Sequence, residues 1–264
     1  MDKPKGLSYF ISMNYEKIFM DYVHRFDDLK NSKIDLKVKN SMEVTKVMDY
    51  LVSQMKVSDH FKELAHITAI FHDIGRFEQV KRYNTFYDGI SVDHALLGLE
   101  VLKKEKLLDL EDHDLYMVYT AIKNHNRYKI EDGLDQDTEL LCKLIRDADK
   151  CDIFRVFATE DMVDTMGETI EQVSKETITP IIYEDILKHI SIDKDKRKTG
   201  LDKWIGFLGF IYDLNFKQSI EYLRINRYYR MPFDSIVFED EKTRNEISIL
   251  LNDLEKYLDE KERE

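Results

Sequence analysis

Apolar residues recur at helical spacing along nearly the whole chain, and little in it interrupts helix. Ile18, Phe19, Tyr22 and Val23 share one face within residues 12–30. Residues 36–56 repeat the period through Val38, Met42, Val44, Val47, Met48, Leu51 and Met55. Only 9 Gly and 3 Pro stand among 264 residues, so long helices are the natural way to bury this pattern. Ser58-Asp59 reads as an N-cap for a helix running to about Ile74. Periodicity then lapses over 76–91, which gathers Arg76, Lys81, Arg82, Asn84 and Asp88 and is expected to form a long functional loop. Ser91 is expected to cap a helix over 92–107. Further helices are expected over 113–126, 137–157, 161–175 and 181–190, then a charged loop over 191–200. An aromatic-rich segment, 201–230, and an amphipathic helix, 240–261, follow. Strand signals are almost absent, so the predicted fold class is all-α.

The formal net charge is −12, and such a surface repels a nucleic acid duplex at long range. A small anionic substrate fits if metals or local arginines reverse the potential in one cleft. Cys142 and Cys151 fall in one predicted helix and suggest neither a disulfide framework nor a thiolate metal site, in keeping with a reducing cytoplasm. The opening MDKPKGLSYF lacks a signal-peptide apolar core, and the late apolar stretch 204–212 is too short for a bilayer. A cytoplasmic protein with no membrane partner is expected.

One stretch does not fit a purely structural helix. In Ala69-Ile70-Phe71-His72-Asp73-Ile74-Gly75-Arg76, an adjacent His and Asp follow an apolar run. Burying an unpaired imidazole and carboxylate costs several kcal/mol. A divalent metal would take both as ligands. The ordinary alternative is a helix end that places them in water. His94 opens the helix after the expected loop, His125 ends another, and Asp147 and Asp149 sit on an otherwise apolar helix. Each alone has an ordinary explanation, such as an imidazolium at a helix C-terminus. Together they bring histidines and carboxylates from several helices, as metal sites in helical bundles require. Mixed His and Asp ligation suits Mn, Fe, Co, Ni or Zn better than Ca or Mg alone. Periodicity leaves the choice between Asp147 and Asp149 open.

The order and spacing resemble the HD-domain superfamily of metal-dependent phosphohydrolases, whose signature is His…His-Asp…Asp. His72-Asp73 matches the doublet and Ala148-Asp149-Lys150 the final helix, while His94 and His125 resemble the extra histidines of a subgroup that holds two metals. The resemblance covers about residues 30–160. It implies an HD-type helical core over 1–160 and a helical extension over 161–264 packed on it as one domain. It also implies one or two divalent metal ions (Mn, Fe, Co, Ni or Zn, with Mg as a further candidate) on His72, Asp73, His94, His125 and Asp149. Asp147 is the second candidate for the last position and a partner for a neighbouring base.

The implied reaction is hydrolysis of a nucleotide or other phosphate ester by metal-activated water. Asp73 and Arg76 are the expected catalytic residues. Arg76, which follows His-Asp-Ile-Gly and has a bidentate fork, is the foremost candidate phosphate contact, ahead of Lys81, Arg82 and Arg127. The aromatic block of Trp204, Phe207, Phe210, Tyr212, Phe216 and Tyr222 is expected to cover the core, with a cleft wall or a homodimer contact as the sharper alternatives. One departure stands out. Asn40 occupies the place of the family's first histidine, and an amide oxygen binds borderline metals less strongly than imidazole. The first metal position, on His72, Asp73 and Asp149, is therefore expected to be weakened or empty. The second, on His94, His125 and a bridging Asp73, is less affected. A catalytically weakened nucleotide- or metal-binding protein and a di-iron oxygenase are the competing readings.

Overall fold

The computed structural model describes residues 5–29, 32–163 and 167–263. All regular elements among them are helical. The first seven α-helices are α1 (Lys5–Val23), α2 (Ser32–Ser53), α3 (Asp59–Phe71), α4 (Gly75–Tyr83), α5 (His94–Glu105), α6 (Asp112–Asn124) and α7 (Gln136–Thr159). The fold class is therefore all-α, as the periodicity predicts. The chain divides into two compact units, Met1–Asp149 and Lys150–Glu264, with the division inside α7.

The first unit is built around α3. Ser58 caps it by accepting a hydrogen bond from Phe61 N at 3.1 Å, and every residue from Leu64 to Phe71 is buried. So continuous a burial leaves no solvent face, and α1, α2 and α6 pack around the helix. Phe19 holds two layers together, its ring lying 5.9 Å from Phe71 and 5.8 Å from Phe77, both edge-on. Burial of each such ring contributes roughly 1.5–3 kcal/mol.

Two local expectations are corrected. The expected loop over 76–91 begins as α4, because Phe77 and Val80 supply a short buried face and Asn84, left-handed at φ 51°, caps the end. Asn tolerates that conformation better than most residues. The cap of α5 is Asp93, not Ser91: Asp93 accepts from Ala95 N and Leu96 N, while Ser91 donates to the Tyr87 carbonyl. A carboxylate directly before the helix reaches the unpaired N–H groups, and Ser91 lies too far upstream.

The α4–α5 contact depends on glycine. A Cβ on Gly75 would meet the His94 carbonyl oxygen at 2.2 Å and Gly98 N at 2.5 Å. The two helix backbones therefore touch at Gly75, and this approach carries His94 toward Asp73.

The second unit has its own core. Trp204 stacks edge-on with Phe157 at 5.9 Å and with Phe233 at 5.8 Å, so this part of the aromatic block is interior packing within the unit. The last helix, Glu241–Arg263, buries Ile247, Leu250, Leu251, Leu254 and Leu258, as its amphipathic pattern requires. The helix expected over 161–175 is interrupted by Gly167 at φ 74°, and a Thr169–Gln172 capping box starts a separate helix at Ile170–Ser174. Residues 164–166 lie outside the described residues. No described helix is long and apolar enough to cross a membrane.

Candidate metal centre

His72 and His125 end their helices in the same way. Each ring folds back so that Nδ1 lies 2.7 Å from the carbonyl three residues earlier, Ala69 for His72 and Ile122 for His125. A carbonyl only accepts, so Nδ1 carries the proton and Nε2 presents a lone pair. His94 reaches the same state by another route, with Nδ1 2.6 Å from Asp88 Oδ2. Asp88 is fixed in turn by Arg76 Nη1 and Gln79 Nε2, each donating to its Oδ1 over 2.8 Å. Such carboxylate–histidine pairs orient metal-binding imidazoles and raise their basicity.

The three Nε2 atoms converge. His94 Nε2 lies 3.0 Å from His125 Nε2, and Asp73 Oδ1 lies 3.3 Å and 3.6 Å from these two atoms. Two lone pairs facing one another at that distance repel unless a cation lies between them. Tetrahedral or octahedral ligation with bonds of about 2.0–2.1 Å separates neighbouring donors by roughly 3.0–3.4 Å. Two sides of the Asp73–His94–His125 triangle fall in that range and the third, at 3.6 Å, lies just above it. A second triad, His72, His125 and Asp149, adjoins it, with His72 Nε2 3.7 Å from Asp149 Oδ1 and 3.7 Å from Asp73 Oδ2. His72 Nε2 and Asp73 Oδ1 are buried without a hydrogen-bond partner, which in a folded protein calls for a ligand. The donor set fits a divalent transition metal.

Electrostatics prepare the donors. Burial pushes the Asp73 carboxyl up, but Lys37, His72 and Arg76 outweigh it and hold the group well below the usual carboxylate range. Burial lowers His94 below an ordinary histidine and favours its neutral, ligating form. Burial also opposes charge on His72, yet Asp73 and Asp149 prevail and raise it.

The structure thus brings together His72, Asp73, His94, His125 and Asp149. Asp147 is fully buried, whereas the Asp149 side chain keeps 26% of its exposure and stands beside His72. Arg76 is at the edge, its Nε 3.5 Å from Asp73 Oδ1 and its Nη1 donating to Gln79 Oε1, the Phe86 carbonyl and Asp88. Lys81 lies over the Phe26 ring at 5.4 Å, Arg82 pairs with Glu78 at 3.0 Å, and Arg127 is 3.9 Å from Glu131. None of these contacts involves a residue of the centre.

Sequence reasoning missed two participants. Asp88 orients His94, but its position after α4 is irregular and gives no spacing to read. Lys37 Nζ lies 2.7 Å from Asp73 Oδ2 and 3.2 Å from Asn40 Oδ1. Its i, i+3 relation to Asn40 can be read from spacing, but its pairing with Asp73 arises only in the fold. Buried Arg146 secures the other side of the centre by donating to the carbonyls of Asn124, Arg127 and Tyr128 around the end of α6. Replacing Asp88 with Asn is expected to weaken Mn²⁺ binding about 10–100-fold, measured by isothermal titration. Unchanged affinity would show that Asp88 does not orient His94.

No curated protein and no solved structure matches the chain. A family model, the HD domain, matches residues 38–153, the segment from α2 to α7 that holds every ligand named above. HD domains bind divalent metals and are usually metal-dependent hydrolases. By this match and by its cluster of histidines and aspartates, residues 38–153 are identified as an HD-domain segment.

Proposed function

We propose that this protein is a metal-dependent phosphohydrolase acting on a nucleotide or another small phosphate ester. The observation that carries the reading is the common state of His72, His94 and His125. Each has Nδ1 committed to an oxygen acceptor and Nε2 turned toward Asp73 or Asp149. A bound divalent ion supplies a nucleophile near neutral pH by acidifying its water, and offsets charge on phosphoryl oxygens. Asp73 and the imidazoles hold that ion. Asp149, the more exposed carboxylate, offers an acceptor for a proton from an incoming water. Arg76 and Lys37 add positive charge beside Asp73, which favours an anionic substrate despite the acidic surface. Lys81, Arg82 and Arg127 remain candidates for the outer part of such a substrate.

The test is release of inorganic phosphate, pyrophosphate or nucleoside from a nucleotide panel by the metal-supplemented protein. Loss of that release in both His72→Ala and Asp73→Ala is expected. Activity that persists in both would sink the assignment. Asn40 favours one further reading, a binding protein without turnover, which strong turnover by the unaltered chain would rule out. The oxygenase reading calls for oxygen consumption with bound iron.

Metal affinity also has a predicted pH dependence. Imidazole ligates only when neutral, and Asp73 and Asp149 raise the pKa of His72. Protons therefore compete increasingly as pH falls, whereas the depressed Asp73 stays ionised. Mn²⁺ affinity is expected to fall by up to about tenfold per pH unit for each competing proton on acidification below neutrality. An affinity flat between about pH 8 and 6 would contradict ligation by His72.

A further inference from the structure

Lys37 occupies an unusual position. Its side chain is only 18% exposed, and its ammonium bridges Asp73 Oδ2 at 2.7 Å and Asn40 Oδ1 at 3.2 Å. It also lies over the Phe86 ring at 5.5 Å, which adds an attractive face for a cation. Asp73 is the carboxylate shared between the two halves of the centre. Oδ2 is thus committed to a fixed charge, whereas Oδ1 has no hydrogen-bond partner and faces His94 and His125.

We propose that Lys37 is a built-in cation standing in for a metal ion at the Asn40 side of the site, so that this chain binds a single divalent ion on Asp73, His94 and His125. The proposal rests on the metal-centre reading above and goes beyond it in fixing the number of ions and the residue that sets it.

Three observations lead there. The first is proximity: an ion bound to Asp73 Oδ2 at about 2.1 Å would lie within roughly 5 Å of Nζ, a close approach of like charges in a buried site. The second is donor chemistry. Asn40 offers Lys37 a neutral oxygen acceptor, which suits an ammonium, whereas borderline metals bind amide oxygen less strongly than imidazole. The third is geometry. His94 Nε2 and His125 Nε2 lie 3.0 Å apart and face the unpartnered Asp73 Oδ1, whereas Asp73 Oδ2, the oxygen nearer His72, is already taken by Lys37. In this arrangement the charge of Asp73 is divided between a side chain that cannot dissociate and a metal ion that can.

Mn²⁺ alone serves as the probe. Full-length protein is equilibrated with excess Mn²⁺, desalted, and measured for bound metal by elemental analysis and for spin coupling by electron paramagnetic resonance. The expected result is one Mn²⁺ per chain with an uncoupled six-line spectrum. Lys37→Gln combined with Asn40→His is expected to take two, with a spin-coupled signal. Should the double variant melt early, Lys37→Gln alone is expected to raise the count above one at saturating Mn²⁺. Two coupled ions in the unaltered protein would overturn the role of Lys37 while leaving the metal centre intact. A count fixed at one in both folded variants would also overturn it. No bound Mn²⁺ in the unaltered protein would overturn the metal-centre reading itself.

Discussion

Replacing Asp73 with Asn is expected to remove most metal binding and to lower phosphate release by more than about 100-fold, beyond the usual loss from altering a residue that only supports a ligand. The substitution preserves shape but removes the charge that His94, His125, Lys37 and Arg76 all face. Stability should fall as well. Removing one partner of a buried ion pair costs about 3–5 kcal/mol. Lys37 retains some exposure and the Asn40 oxygen, so a loss nearer about 2–3 kcal/mol is expected, or roughly 4–12 °C in melting temperature for a unit of this size. Calorimetry and metal analysis on the same preparation measure both effects. Wild-type Mn²⁺ content in the Asn variant would remove Asp73 from the centre.

Gly75→Ala is expected to be comparably damaging although it touches no ligand. The new methyl would sit 2.2 Å from the His94 carbonyl and 2.5 Å from Gly98 N, both of them backbone atoms. Neither can rotate aside, so α4 and α5 must separate. Overpacking of a tight contact costs about 1–3 kcal/mol and sometimes more, and here the upper end applies because the contact is rigid. Shifting α5 moves His94 away from Asp73, so Mn²⁺ affinity should fall with stability. Gly98→Ala is the control. Its Cβ would meet its neighbours no closer than 3.4 Å, and alanine improves helix propensity by up to about 1 kcal/mol. Equal effects from the two substitutions would show that close approach at Gly75 is not what seats α5.

Much of this was legible in the chain. The apolar period located α2, α3, α6 and α7, because each has a buried stripe long enough to read. Ser58 marked the start of α3 through its spacing to Phe61 N. The His72-Asp73 doublet stood out because charged ligands rarely follow so apolar a run. By contrast, α4 was hidden: its nine residues include Arg76, Glu78, Gln79, Lys81 and Arg82, and only Phe77 and Val80 carry the period. Gln79 is fully buried for its hydrogen bonds to Asp88, Ser91 and the Val92 carbonyl, which no hydrophobicity pattern reports. Lys37 went unread for a related reason. A lysine on a charged helix resembles every other surface lysine until α3 places Asp73 opposite it. Spacing within one segment can be read from sequence, whereas partners from different segments require the fold.

The way α3 and α6 finish has a consequence for how the centre is assembled. An imidazole N–H meets the Ala69 carbonyl near the end of α3 and the Ile122 carbonyl near the end of α6, the latter also accepting from His125 N. The rings are therefore immobilised by the termination of the secondary structure itself, and the loss of rotamer freedom is incurred during folding rather than on chelation. Helical content measured by circular dichroism should accordingly be the same in stripped and metal-loaded protein. Loading then becomes a capture event on a rigid template rather than a folding event.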